Sequence, residues 1–236
     1  MQLLKKLWAE LLAFFYPPSD TCPLCLEKIT NNLICENCQE ILQNWQKQKF
    51  CNVFGRPKKF GQLCRCTKQQ TFYRKLHGVA PYQGVFKKAV YRLKYSGQTY
   101  LAVPMGSLMG DRLREIQGYA GSIIIPIPLS PRKRAIRGFN QAELLARAVA
   151  ERTKLPVYTN LLTKIRDTAP QAGLKKVDRL TNLQGAFNVP NPEPLKNKVV
   201  ILVDDIFTTG STINEAAQTL LKAGAKDVYA LVWAIA

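Results

Sequence analysis

Val199-Val200-Ile201-Leu202-Val203-Asp204-Asp205-Ile206-Phe207-Thr208-Thr209-Gly210-Ser211-Thr212 is the stretch that decides the fold. Its first five residues are aliphatic and mostly β-branched, a run too unbroken for a half-exposed strand. It predicts a central strand of a parallel sheet, covered on both faces. Two carboxylates follow where such a strand is expected to end, then a turn of small hydroxyl residues and glycine. Helical periodicity resumes over 213–221. In open α/β sheets ligands bind beyond the carboxyl ends of the strands, so a site belongs here.

The turn has its own chemistry. Thr208, Thr209, Ser211 and Thr212 supply hydroxyls, and Gly210 permits positive φ and close backbone approach. Amides converging at a helix N-terminus form an anion nest suited to a phosphate monoester. Asp204 and Asp205 repel a phosphate and are expected to face sugar hydroxyls or a cation instead. The bland alternative is a buried strand with an acid-capped helix start. Two adjacent acids after an aliphatic strand are costly, however, without a ligand or partner. No Walker A order is present, because its lysine is missing.

Strand, acid pair and Thr-Thr-Gly-Ser-Thr together resemble the phosphoribosyl diphosphate (PRPP) signature of type I phosphoribosyltransferases. That resemblance implies a twisted parallel sheet with helices on both faces.

Moving outward, Ile123-Ile124-Ile125-Pro126-Ile127-Pro128 predicts a second buried strand, ended by prolines. A loop is expected beyond it over 129–141, with helix after Ala142. Ser130 and four cations, Arg132, Lys133, Arg134 and Arg137, lie in that loop. The cations match a diphosphate or a nucleic-acid backbone, or else form a solvated charge run. Residues 76–82 predict a strand that opens this domain, and 85–95 a helix. Lys94 in its last turn either offsets the helix dipole or points at a phosphate. Residues 100–116 predict a further helix, weakened by Pro104, Gly106 and Gly110. An edge element is expected within 149–159, and residues 228–235 predict a terminal strand completing a right-handed crossover.

Residues 163–180 are polar, basic and poorly periodic. They predict a loop carrying Arg166, Lys175 and Arg179, ahead of a short helix with Asn182 and a strand start at Ala186-Phe187. Long structureless loops inside compact domains usually have a function.

Near the N-terminus, Cys22-Pro23-Leu24-Cys25 and Cys35-Glu36-Asn37-Cys38 form two C-x-x-C knuckles with nine residues between them. Four thiolates from two turns make a tetrahedral zinc signature, structural because no coordination position stays open. A disulfide pair fits less well in a chain without an export signal, and a redox motif less well with two knuckles. Cys51, Cys64 and Cys66 are leftovers or part of a second, degenerate site. A lone histidine such as His77 is more often a core or surface residue than a ligand. Leu4, Leu7, Leu11, Leu12 and Phe15 recur at helical spacing, which predicts a short amphipathic helix packed on the body. Glu10 interrupts a signal-peptide reading of the same stretch, and weak membrane contact is the other alternative. Residues 50–70 read as an exposed basic linker. The expected division is 1–70 for the helix and zinc module and 75–236 for the main domain.

The chain has 236 residues, 47% of them hydrophobic, with a formal net charge of +18. This composition excludes the disordered class. The charge points to a polyanionic ligand, a nucleic acid or an anionic surface, and diphosphate binding accounts for part of the excess. No stretch is long enough to span a bilayer, and a cytoplasmic location is expected.

Pro126-Ile127-Pro128-Leu129-Ser130, then Arg137-Gly138-Phe139-Asn140-Gln141-Ala142-Glu143, resemble the hallmark of the ComF/GntX family. Phe15-Tyr16-Pro17-Pro18 ahead of Cys22 is similar to that family's N-terminus. The resemblance covers nearly the whole chain and implies a cysteine-rich zinc module joined to a type I phosphoribosyltransferase domain. It departs from the family at Cys51-Asn52-Val53-Phe54, where a partner cysteine is lost. Arg166, Pro170, Gln171, Arg179 and Asn182 also resemble the family, whose basic loop closes over the diphosphate. The resemblance implies displacement at the anomeric carbon of PRPP. Asp204 and Asp205 would hold the ribose, residues 208–212 the 5′-phosphate, and magnesium the diphosphate. It also implies a role in natural competence and DNA uptake, alongside competence-machinery proteins. The residues show no general base, so the acceptor is undefined. The alternative is a non-catalytic, PRPP-regulated module acting on single-stranded DNA.

Overall fold

A computed structural model describes residues 20–29, 32–51, 53–57, 71–116, 118–166 and 185–236. The amphipathic helix expected before residue 20, Cys64, Cys66, Lys175, Arg179 and Asn182 lie outside the described residues.

Four parallel strands form the main sheet: β1 (Leu76–Pro81), β2 (Ile123–Pro126), β5 (Val199–Phe207) and β6 (Asp227–Ile235), in the order β1-β6-β5-β2. A bridge from Ile124 to Val157 extends it at the β2 edge, within the stretch that predicts an edge element. Val200, Ile201, Leu202 and Val203 of β5 are buried because helices cover both faces. Alternation along the strand divides the core in two. Ile201 and Val203 join Leu231 and Trp233 under α2 (Gly84–Tyr95), α3 (Ala102–Arg114) and α5 (Gln141–Thr153). Val200 and Leu202 join Val228, Ala230 and Val232 under α6 (Ser211–Lys222). A short antiparallel ribbon, β3 (Thr163–Lys164) with β4 (Phe187–Asn188), lies on the second side.

The structure changes three local expectations. β5 does not end at Val203 but runs through both acids to Phe207. β6 continues beside it, pairing Asp204 with Val232 and Phe207 with Ile235. Residues 131–137, expected as loop, form a short helix, α4 (Pro131–Arg137), entered with proline in its first turn and left through Gly138 at φ +79°. Thr163 and Lys164, also expected as loop, are in the ribbon. The glycines of α3 are a packing feature rather than a weakness, since a Cβ on Gly106 would overlap the Ala148 side chain of α5.

The cysteine segment folds against the first side of the core. Cys22, Leu24, Cys35, Cys38 and Leu42 join the α2/α3/α5 cluster, and α1 (Glu36–Gln46) starts within the second cysteine pair. His77 is a core residue. It is buried, and its Nε2 lies 2.8 Å from the Tyr119 hydroxyl. Burial, then the charges of Lys75 and Arg112, lower its pKa to about 3, so it is neutral near pH 7.

Candidate functional site

The carboxyl ends of β5 and β2 open into a cleft of about 290 Å³. Its floor and near wall are residues 204–213, and its far wall is residues 127–130 with Lys133 and Gln141. Tyr82, Lys94 and Lys164 close the remaining sides.

The two acids have different environments because adjacent strand residues point to opposite faces. Asp205 is buried on the α2 side, ion-paired through Oδ2 to Lys94 Nζ. Burial opposes a charged lysine there, but Asp205, and beyond it Asp204, hold Lys94 above its ordinary value. Lys94 thus does more than offset the helix dipole, and its ammonium is paired with an acid rather than free for a phosphate; it neutralises one member of the acid pair. Asp204 is partly exposed to the cleft, with Oδ1 accepting from the Asp205 N–H at 2.8 Å. Burial first, then the charge of Asp205, raise its carboxyl well above the usual range, with Lys94 opposing.

Residues 208–212 form the turn between β5 and α6. Gly210 sits before the helix at φ +83°, and a Cβ there would lie 2.8 Å from the Phe207 ring. Only glycine fits both the backbone and the contact. No side chain caps α6, so its first amides are left to whatever occupies the cleft. Thr209 Oγ1 and Ser211 Oγ lie 3.1 Å apart. Opposite, Ser130 is buried, and its Oγ has no hydrogen-bond partner among the described residues. Asn140 fixes this wall: it donates to the Ile127 carbonyl at 3.0 Å and caps α5 by accepting from Ala142 N–H at 3.1 Å. Asn140 in the Gly-Phe-Asn-Gln stretch therefore braces the site, while Gln141 lines it.

Of the residues singled out in the sequence, the cleft brings together Ser130, Asp204, Asp205, Thr208, Thr209, Gly210, Ser211 and Thr212. Three others are not in its wall. Arg132 is exposed on α4, Arg166 is exposed past β3, and Arg137 sits over the Tyr95 ring and donates to Gln141. Lys133, one of the four loop cations that match a diphosphate, also lines the cleft, as do Gln141, Tyr82 and Lys164, which the sequence does not place among the PRPP ligands. For Lys133 a usable signal exists: residues 131–137 treated as a helix would turn one face to the site.

The four cysteines Cys22, Cys25, Cys35 and Cys38 form the second constellation, their sulfurs all within 4.8 Å of one another. Burial opposes a Cys22 thiolate, but backbone N–H groups of Cys35, Cys25 and Leu24 outweigh it and lower the pKa. Burial pushes the Cys25 thiol up to about 11. Four soft ligands in a closed cluster fit a structural zinc.

A phosphoribosyl transferase domain model matches residues 138–234, and a double zinc ribbon domain model matches residues 11–67. Sheet, cleft and cysteine cluster thus define a type I phosphoribosyltransferase fold with an N-terminal zinc-ribbon module. The chain is 30% identical over 217 residues to competence protein F of Haemophilus influenzae, covering 88% of this chain and 92% of that protein. It is 30% identical to the DNA utilization protein YhgH of Salmonella typhimurium, over 86% and 89% of the two chains. It is 28% identical to competence protein ComFC of Bacillus subtilis, over 81% and 79%. The chain belongs to the ComF family. No helix among the described residues is long and apolar enough to cross a membrane.

Proposed function

We propose that the cleft binds PRPP and that the protein transfers phosphoribose to an acceptor in the handling of imported DNA. The observation that carries this reading is the pairing of an uncapped helix start at Gly210 with a partly exposed Asp204 in one cleft. Residues 208–212 take the 5′-phosphate on backbone amides and hydroxyls. Asp204 takes the ribose hydroxyls. Asp205 is taken up by its ion pair with Lys94, which leaves Asp204 as the acid facing the sugar, where a transition state with sugar-cation character benefits from a carboxylate. Ser130, whose hydroxyl has no partner among the described residues, and Lys133 face the diphosphate. In the transfer, a bond forms from the acceptor to the anomeric carbon while the bond to the diphosphate oxygen breaks, its electron pair leaving with the diphosphate. Asp204 is the carboxylate that would hold magnesium, which would supply charge neutralisation to that leaving group. Arg132, Arg137 and Arg166 belong to the same proposal as cations around the mouth, and Lys175 and Arg179 join it on the sequence alone.

Relatives named for competence and for DNA utilization support the biological half of the reading, as does a net charge of +18. The thiol cluster suits a reducing compartment, so we place the protein in the cytoplasm. The same charge favours a second reading, a PRPP-regulated module that binds single-stranded DNA without turnover.

Calorimetric titration with PRPP and magnesium tests the first half. Asp204→Asn is the informative variant, because removing Asp205 would strand Lys94 as a buried, unpaired charge. Binding by the unmodified protein, weakened at least tenfold in Asp204→Asn, is expected. No heat of binding in the unmodified protein would remove the transferase and the PRPP-regulated readings together.

A further inference from the structure

α2 and α4 share a solvent face beside the mouth of the cleft. On α2, Lys87, Tyr91 and Tyr95 recur every fourth residue, so they stack along one side of the helix. Both tyrosines are largely exposed, at 62% and 65%, with ring centroids 5.0 Å apart. The Arg137 guanidinium of α4 lies 5.2 Å from the Tyr95 ring centre, and the Lys87 ammonium 5.6 Å from that of Tyr82. Lys88 on α2 and Arg132, Lys133 and Arg134 on α4 are exposed on the same two helices. Neither helix contains an acidic residue. Among the described residues only Arg134 of these exposed cations has an ion-pair partner, Glu143 at 3.6 Å.

A helix gains little from two adjacent exposed rings, and it loses from crowded like charges when it carries no acid of its own. The arrangement fits a partner that presents flat π-faces and closely spaced negative charge together. A single-stranded nucleic acid does so, because its bases are free to stack and its phosphates track alongside. A duplex hides those base faces, and neither helix is set apart to enter a groove. The patch is continuous with the cleft. Tyr82 and Lys133 line both, and Gln141 in the cleft wall holds Arg137.

We propose that the α2/α4 face is a stacking platform for single-stranded nucleic acid, with bases on Tyr91 and Tyr95 and phosphates on Lys87, Lys88 and the α4 cations. The platform rests on the DNA-handling part of the function proposed above and gives that part a location. Recognition here is independent of sequence, because rings and ammonium groups read no base edge.

The test is fluorescence anisotropy of a labelled oligothymidylate with the full chain at several salt concentrations, with PRPP calorimetry on the same samples. The unmodified protein is expected to bind the oligonucleotide more tightly than a duplex of equal length. Tyr91→Ala/Tyr95→Ala weakens that binding roughly tenfold or more at unchanged salt slope, because stacking disappears while the phosphates stay held. Tyr91→Phe/Tyr95→Phe restores it. Lys87→Gln/Lys88→Gln instead lowers the slope of log affinity against log salt by about 0.7 for each phosphate no longer neutralised. None of these variants changes PRPP binding. Unaltered oligonucleotide affinity in the double alanine variant overturns the platform while leaving DNA handling intact. No oligonucleotide binding by the unmodified protein overturns both, and PRPP calorimetry reports separately on the cleft. Tyrosine-dependent binding to phosphatidylserine vesicles without oligonucleotide binding assigns the face to lipid and also overturns the proposal.

Discussion

Residues 21–28 and the described residues of 50–57 share one pattern of backbone bonds and carry different side chains. Thr21 bridges Lys28, and Phe50 bridges Pro57, both antiparallel. Cys22 N–H donates to the Glu27 carbonyl at 2.6 Å and Leu26 N–H to that of Cys22 at 2.8 Å. In the second turn Cys51 N–H donates to the Arg56 carbonyl at 2.9 Å and Gly55 N–H to that of Cys51 at 2.7 Å. Each reverses through a positive φ, 72° at Leu26 and 58° at Gly55. The first turn carries Cys25 where the second carries Phe54. The difference shows what can hold a zinc knuckle in shape. In the first, four sulfurs converge, and Arg92 of α2 braces the Pro23 and Leu24 carbonyls at 2.5 and 2.8 Å. In the second, Phe54 packs on the α6-side core, and Tyr73 donates to the Val53 carbonyl at 2.7 Å. Among the described residues, packing and backbone bonds hold the second turn in the shape of the first.

The first way to break this comparison is to remove the metal ligands. Cys22→Ser/Cys25→Ser should abolish zinc content and lower the melting temperature by the widest margin, because structural zinc contributes folding energy directly. Elemental analysis beside thermal denaturation reports both. A double variant that melts like the unmodified protein would show that the first turn is also held by packing.

A smaller effect should separate the two turns at their positive-φ residues. Gly55 has no room for a side chain: a Cβ there would lie 2.7 Å from Ile235 Cδ1 and 2.9 Å from Leu76 Cδ2. Backbone strain and overpacking together put Gly55→Ala at roughly 2–4 kcal/mol of destabilisation. Leu26, at the matching position, is 58% exposed. Leu26→Gly relieves its strained φ and should leave stability within about 1 kcal/mol of the original, on either side. Urea denaturation of both variants checks the contrast. Equal losses would mean that the second turn is no more tightly seated than the first.

The same contrast separates what is legible in the sequence from what is not. The strand, acids and turn at 199–212 are readable because each signal is local: an aliphatic run, two carboxylates, then small residues. The four-cysteine cluster is readable from spacing alone. The second turn is not, because Cys51 reads as a leftover or as part of a degenerate site, and the packing of Phe54 leaves no ligand pattern. The length of β5 is hidden too, since its last residues are strand only because β6 runs beside them. So is the partner of Lys94, because a helix on one side of the fold meets a strand end far away in sequence. α4 is different. Ser130-Pro131 and Gly138 are local start and stop signals, and the density of charge between them obscures a helix that is otherwise readable.

The smallest expected effect is also the one that links the second turn to the cleft. Arg56 occupies the position that Glu27 holds in the first turn, but it reaches across to the main domain. Its Nη2 donates to the Thr208 carbonyl at 3.2 Å and its Nε to the Ala236 carbonyl at 3.0 Å. Thr208 opens the loop that leads to Gly210, so Arg56 fixes the entry of that loop from behind without lining the cleft. Both bonds are exposed, so their net contribution to stability is small, on the order of 1 kcal/mol. Arg56→Ala should leave zinc content unchanged and the melting temperature nearly so. It should raise the dissociation constant for ribose 5-phosphate about threefold to tenfold, because the loop must then be ordered by the ligand rather than before it arrives. Arg56→Lys should recover little of this, since one ammonium cannot span two separate carbonyls as the guanidinium fork does. Calorimetry with ribose 5-phosphate isolates the loop from any contribution of the diphosphate. An unchanged constant would confine the second turn to a packing role and leave the two turns alike in function as well as in shape.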